Sequence, residues 1–528
     1  MSKSAKIILI SAGVLILGGA LFAWYWFHKH TSDIHLKYVP KEAAAVFSIH
    51  TRELAEKLDP EQVKELKPAT QTVNDLPDFL TNLMTDPFST GIDPVQNIYG
   101  FAEKHNQTTA TVLVIAVADE SNFETFVKKM FPERTAEPGD GFNYLDIDDS
   151  RSLGWNDEVA IFVAVNDMDV RAYTEKLLAQ QEENSIQTNE DFKAFNAKSF
   201  DVGLFTDNKR LSGLNMETSA LSLMGMSTGH SEFFVRFEQN EIVTEYIASQ
   251  QAGTPLMKKE GIPAAELTLL GMKNPLLFLG MNLDVQALLA SATSDPNMAP
   301  NVEGITASLG MTSEEMAKLF TGTITASVSD YEDIFQTDPR IKQETAKMMG
   351  SIAEAGEVGD FFKSMMSIEV PITCISMGIT DADQANKMLA SIGMKQMEGG
   401  FWAAPGVDLV VYSVVTPTHL VITNDYRCAD AIAKNGQLPG KLPSDYAAKV
   451  PSQPFSLWMD FDKSHMPPLL LAPVSPILGA DELAAYVNMS EFVSNVKFES
   501  DKSSSSFHFV MPENTENSLV RTIKYFSK

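Results

Sequence analysis

Apolar residues recur at two spacings along this chain, and the spacings mark its elements. From Glu232 to Glu238, Phe233, Val235 and Phe237 alternate with Glu232, Arg236 and Glu238, the period-2 pattern of a strand with one buried face. Gln239-Asn240 then supplies the turn into a second strand over residues 242–248. Residues 45–49 and 111–118 are short runs apolar on both faces, which read as fully buried strands. Helical spacing takes over at residues 121–131, where Phe123, Phe126, Val127 and Met130 share one side and Ser121 with Glu124 has capping-box spacing. Leu54 and Leu58 mark a shorter helix with Thr51 as its predicted N-cap. Further strands are predicted over residues 142–148, 159–165 and 200–205, and a helix over residues 170–178.

The same order of elements returns later. Residues 372–379 match the strand at 111–118, and Asp381 with Gln384 stands 260 residues beyond Ser121 with Glu124. The turn at Pro417-Thr418 lies 260 to 261 residues beyond Asn156-Asp157, and Val496 with Phe498 stands 261 beyond Val235 with Phe237. One such match is within reach of chance; a near-constant offset over four elements predicts two homologous halves. The entry strand recurs at residues 275–281, followed by a helix over residues 284–292, at an offset nearer 231. The second half therefore carries about 30 extra residues, placed around 293–356, where function is sought because insertions in a duplicated scaffold become loops on one face. The expected fold is α+β: repeats over residues 38–260 and 261–528, each a mainly antiparallel sheet with helices packed on one face.

Ahead of these repeats, residues 7–27 form an uncharged apolar run that ends in Trp24, Tyr25 and Trp26 and is preceded by Lys3 and Lys6. About 20 helical residues match a hydrocarbon core of about 30 Å. A cleaved signal peptide has a shorter apolar core, about 7–15 residues, whereas this run continues past Gly18-Gly19-Ala20. The run is therefore expected to be a transmembrane signal anchor, with a cytoplasmic tail over residues 1–6 and a linker over residues 28–37. It implies a single-pass inner-membrane protein whose body is periplasmic.

Composition suits a folded body: 528 residues, 44% hydrophobic and 21% charged, with a net charge of −28. Such a surface repels phosphate backbones, so no nucleic-acid partner is expected. Cys374 and Cys428, the two cysteines, exclude a disulfide scaffold and leave open whether they pair. The nine histidines lack the spacing of zinc sites, and no phosphate-binding glycine loop occurs, so no metal or cofactor is expected.

Candidate chemistry reduces to isolated strings. Gly225-Met226-Ser227-Thr228-Gly229 fits the nucleophile-elbow string but precedes a strand where that motif requires a helix. Ser494 and Lys497 have Ser-x-x-Lys spacing on a predicted strand, which points the two side chains to opposite faces. Asp146, Asp148, Ser150, Ser152 and Asp157 imitate a calcium loop, yet Arg151 stands where the sharp turn demands glycine. No catalytic residue is assigned. The 25 methionines are unusual, and Phe361, Phe362, Met365 and Met366 are the candidate apolar partner groove.

Residues 38–46, Tyr-Val-Pro-Lys-Glu-Ala-Ala-Ala-Val, resemble the opening of the Bacteroidetes cell-envelope family grouped as domain of unknown function DUF4836, and residues 319–328 and 516–520 are similar to that family as well. The resemblance spans residues 37–528 and implies an envelope location, with no activity or catalytic residues to carry over. The expected function is a membrane-anchored, non-enzymatic binding or scaffolding protein of the envelope with a protein partner. The alternative is an envelope hydrolase, or a protein that binds a lipid or apolar ligand in a groove between the halves.

Overall fold

The computed structural model describes residues 34–57, 87–105, 108–166, 168–211, 229–249, 257–294, 298–333, 338–340, 369–404, 411–462, 492–500 and 504–526. They form two compact units, Met1–Ala252 with Met511–Lys528, and Gly253–Val510.

The first unit holds β1 (Ala45–Ile49), β2 (Ile98–His105), β3 (Thr108–Ala116), β4 (Glu137–Pro138), β5 (Asn143–Asp148), β6 (Arg151–Trp155), β7 (Val159–Ala164), β8 (Val202–Asp207), β9 (His230–Phe237) and β10 (Glu241–Ala248). Every pairing is antiparallel, in the order β4-β5-β6-β7-β3-β2-β1-β8-β9-β10. Alternation sends Val112, Val114, Ile161 and Val163 into one cluster and Leu113, Ile115, Ala160 and Phe162 against another. The first cluster is covered by helices Val170–Leu178 and Glu190–Asn196. The second is covered by Thr51–Glu56, Glu120–Met130 and the C-terminal Ser518–Phe526, which inserts Leu519, Val520 and Ile523.

In the second unit the strands are β11 (Leu277–Asn282), β12 (Phe320–Asp333), β13 (Glu369–Ile379), β14 (Lys395–Gln396), β15 (Trp402–Ala403), β16 (Tyr412–Val415), β17 (His419–Thr423), β18 (Phe455–Asp460), β19 (Asn495–Ser500) and β20 (Ser504–Val510). Their order is β14-β15-β16-β17-β13-β12-β11-β18-β19-β20, strand for strand that of the first unit. Val414 and Val421 face the helix Tyr426–Asn435, while Val415, Leu420 and Ile422 face the helix Ala382–Ser391. Three more helices, Val285–Ser294, Ala299–Ser308 and Ser313–Leu319, lie between β11 and β12.

Several expectations change. Helices cover both faces of each sheet, because the strands are apolar on both sides and both sides need cover. Residues 322–329, placed in the insertion, belong to β12, which sits between β11 and β13 as β2 sits between β1 and β3. The long connection is instead the one from β12 to β13, residues 334–368, where β2 and β3 are separated by two residues. Ser121 does not cap its helix: Asp119 does, accepting from Asn122 N, as Asp381 accepts from Gln384 N. Thr51 is the first helical residue and donates its hydroxyl to Gln96 O.

The transmembrane helix is also corrected. Among the described residues no helix is long and apolar enough to cross a membrane. The longest of them, Glu120–Met130, has 11 residues and spans about 16 Å, half of a hydrocarbon core. Residues 7–27 lie outside the described residues. The signal anchor, the membrane partner contacted through it and the single-pass inner-membrane placement therefore have no spanning helix among the described residues.

Candidate functional site

The strings singled out in the sequence do not assemble into a reactive centre. Ser227 and the proposed groove residues Phe361, Phe362, Met365 and Met366 lie outside the described residues. Ser494 Oγ donates to Val510 O at 3.0 Å, and Lys497 of β19 reaches toward Asp445. The acidic hairpin is occupied by its own chain: Asp146 accepts from Tyr144 Oη at 2.8 Å, and Ser152 bonds Thr174. Asp148 accepts from Arg151 and Ser150, and the Arg151 hydrogen bonds hold its carboxyl at a pKa of about 2. Among the described residues no group of three metal-ligating side chains converges.

The cysteines are both buried and free. Burial pushes the Cys428 thiol up to about 12 and that of Cys374 well above its usual range, so neither offers a thiolate.

Two arrangements escaped the sequence. The first is polar: Glu266, 2% exposed, accepts from Ser376 Oγ at 3.0 Å through one oxygen and lies 3.0 Å from His419 Nε2 through the other. The opposite nitrogen, His419 Nδ1, is 2.9 Å from Thr418 Oγ1. The residue types are those of a hydrolase triad, but the carboxylate stands between serine and imidazole, so the imidazole is not bonded to the hydroxyl it would have to deprotonate. Ser376 is fully buried as well. The arrangement holds structure and cannot carry acyl transfer. No sequence signal marks it, because its members are 110 and 153 positions apart.

The second arrangement is apolar. In the first unit the layer beneath Glu120–Met130 contains, among the described residues, sixteen buried side chains against nine partly exposed ones. The corresponding layer of the second unit, beneath Ala382–Ser391, contains, among the described residues, six buried against eight partly exposed, including Leu309, Met311, Met377, Met394 and Trp402. Among the described residues no helix takes the place there that Ser518–Phe526 takes in the first unit. Its flank is the helix pair Val285–Ser308: the first helix has no charged residue and buries none, and Met298 and Ile305 of the second stretch are 48% and 54% exposed. Ser391 Oγ donates to Leu309 O at 3.1 Å, which brings Ile392, 42% exposed, to the end of the same stretch. A methionine-rich surface flanked by the charge-free helix Val285–Ser294, on a chain of net charge −28, suits a partner with a large apolar part.

Residues 36–248 match the family described as Domain of unknown function (DUF4836). No curated protein matches the chain. Of the solved structures, crystal form III of TP0453 is 10% identical, with 43% of this chain and 83% of that chain covered and a TM-score of 0.28. Crystal form IV is 10% identical, with 41% and 81% covered and a TM-score of 0.26. Crystal form I is also 10% identical, with 44% and 82% covered and a TM-score of 0.27. Scores of this size carry no inference about fold or ligand. The expected role as a membrane-anchored scaffold is corrected together with its anchor, since no described helix spans a membrane.

Proposed function

We propose that this chain, whose residues 36–248 carry the DUF4836 match, binds an uncharged single-chain amphiphile through the second unit. The observation that supports this reading is the partly exposed apolar set Met311, Met377, Met394 and Trp402, flanked by the charge-free helix Val285–Ser294 and the exposed Met298 and Ile305. Thioethers have three rotatable bonds and adapt to a flexible acyl chain without a fixed pocket shape. The chain's net charge of −28 disfavours an anionic headgroup, which points to a neutral one.

Trp402 provides the assay. Its indole is partly exposed within the layer, with Nε1 donating to Asn386 Oδ1 at 2.9 Å. A brominated monoacylglycerol, whose heavy atoms quench indole fluorescence on contact, should quench Trp402 saturably, and the signal should vanish in Trp402→Phe. Met298→Lys with Ile305→Lys should weaken binding about tenfold by placing two cations on the apolar flank. Absence of quenching in the unsubstituted protein, or quenching untouched by Trp402→Phe, overturns the reading.

A further inference from the structure

The two units meet one packing requirement with opposite chemistry. In the first, a 3-10 turn at Ile34–Tyr38 precedes β1, and its middle residue Leu36 shares a buried cluster with Val114 of β3 and Val159 of β7. The strand registers identify the matching positions in the second unit: Ala116 pairs with Val159 as Gly378 pairs with His419. The turns before β7 and β17 agree, since Asn156 N donates to Val159 O and Thr416 N to His419 O. Val114 therefore corresponds to Ser376, and Val159 to His419. The second unit's entry turn is the 3-10 turn Ala264–Thr268 before β11, and its middle residue is Glu266. Leu, Val and Val in one unit are Glu, Ser and His in the other, bonded to one another.

Polarity at the rim is reversed too. In the first unit the entry turn brings the base: Lys37 Nζ bonds Glu158 Oε2, beside the start of β7, at 2.6 Å. The second brings the acid, Glu266, to an imidazole at the start of β17.

A fold with identical strand order in both units does not require this difference, because the first unit is built without the polar trio. Two equivalent sheets offer each entry turn two docking places, and misassembly between repeats is a recognised failure of duplicated chains. Exchange would bury Glu266 without a partner among Val114 and Val159 and beside the carboxylate of Glu158. It would also leave Ser376 and His419 unsatisfied against Leu36, with Lys37 facing an imidazole.

We propose that the opposite polarity of the two entry turns sorts each turn onto its own sheet during folding. The test is refolding of the full chain from urea, scored as the fraction that returns as native monomer by size exclusion and near-ultraviolet circular dichroism. Lys37→Glu with Glu158→Lys reverses a partly exposed pair and gives both units the same polarity. It should lower the native fraction about threefold while the thermal midpoint of the native protein stays unchanged. The variant Glu266→Leu, Ser376→Val, His419→Val gives both units the apolar set and should lower the native fraction likewise, with no loss of thermal midpoint. If this triple variant yields no native protein, the charge-reversed pair decides. An unchanged native fraction in the charge-reversed variant overturns the proposal.

Discussion

The carboxylate of Glu266 lies 3.0 Å from the imidazole of His419, a residue 153 positions further along the chain, and both are sheltered from solvent. Removing one member leaves the others stranded. Glu266→Leu alone should lower the second unit's stability by about 3–5 kcal/mol, whereas the triple change with Ser376→Val and His419→Val should restore it to the original value or above. Urea unfolding of the single and triple variants measures both.

Asp201 supplies a pH dependence. Its side chain is fully buried, and burial raises its pKa above the usual carboxylate value although Lys57 Nζ lies 2.7 Å away. Between the unfolded and the raised folded value the native state binds more protons than the unfolded chain. Stability should therefore fall as pH rises through that window and level off above it. Asp201→Asn should remove this component, seen as a flatter stability difference in denaturant titrations from about pH 4 to neutrality.

The Cys374 and Cys428 thiols, buried and held in the protonated form, should resist a thiol reagent in the native protein and both react once the chain is unfolded. Following the labelling stoichiometry across a urea titration checks this. Rapid labelling without denaturant would show that the second unit opens locally.

Leu519 belongs to the C-terminal helix yet packs in the first unit's core. Leu519→Ala should cost about 2–5 kcal/mol, because the cavity it leaves lies among fully buried side chains. Hydrogen exchange should accelerate in β3 and β7 and stay unchanged in β13 and β17.

Much of the fold was legible where period and position coincide. The strand read at residues 232–238 appears as His230–Phe237 with its faces exchanged, since Glu232 and Phe234 are buried and Phe233 is exposed, and the run after Asn240 appears as Glu241–Ala248. The second-half strand read at 372–379 lies within Glu369–Ile379. Helix ends were less legible: Ser121 and Asp119 are equally good caps as residue types, and only the backbone at Asp119, extended with its side chain on Asn122 N, decides between them. The acidic hairpin shows the same limit in chemistry, because Asp146 and Asp148 carry the residue types of a cation loop and are taken up by Tyr144, Ser150 and Arg151.

What the sequence by itself determined is part of the set of strands and helices, without β2 and β6, and the nearly constant spacing of those elements in the two halves, since periodicity and local turn chemistry act over a few residues at a time. Tertiary structure alone decided that helices cover both faces of each sheet and that the C-terminal helix closes the first unit's core. It also left Met311, Met377, Met394 and Trp402 of the second unit partly exposed, and it brought Glu266, Ser376 and His419 into one hydrogen-bonded set. Burial and pairing depend on which distant strands become neighbours, and no local pattern encodes that neighbourhood.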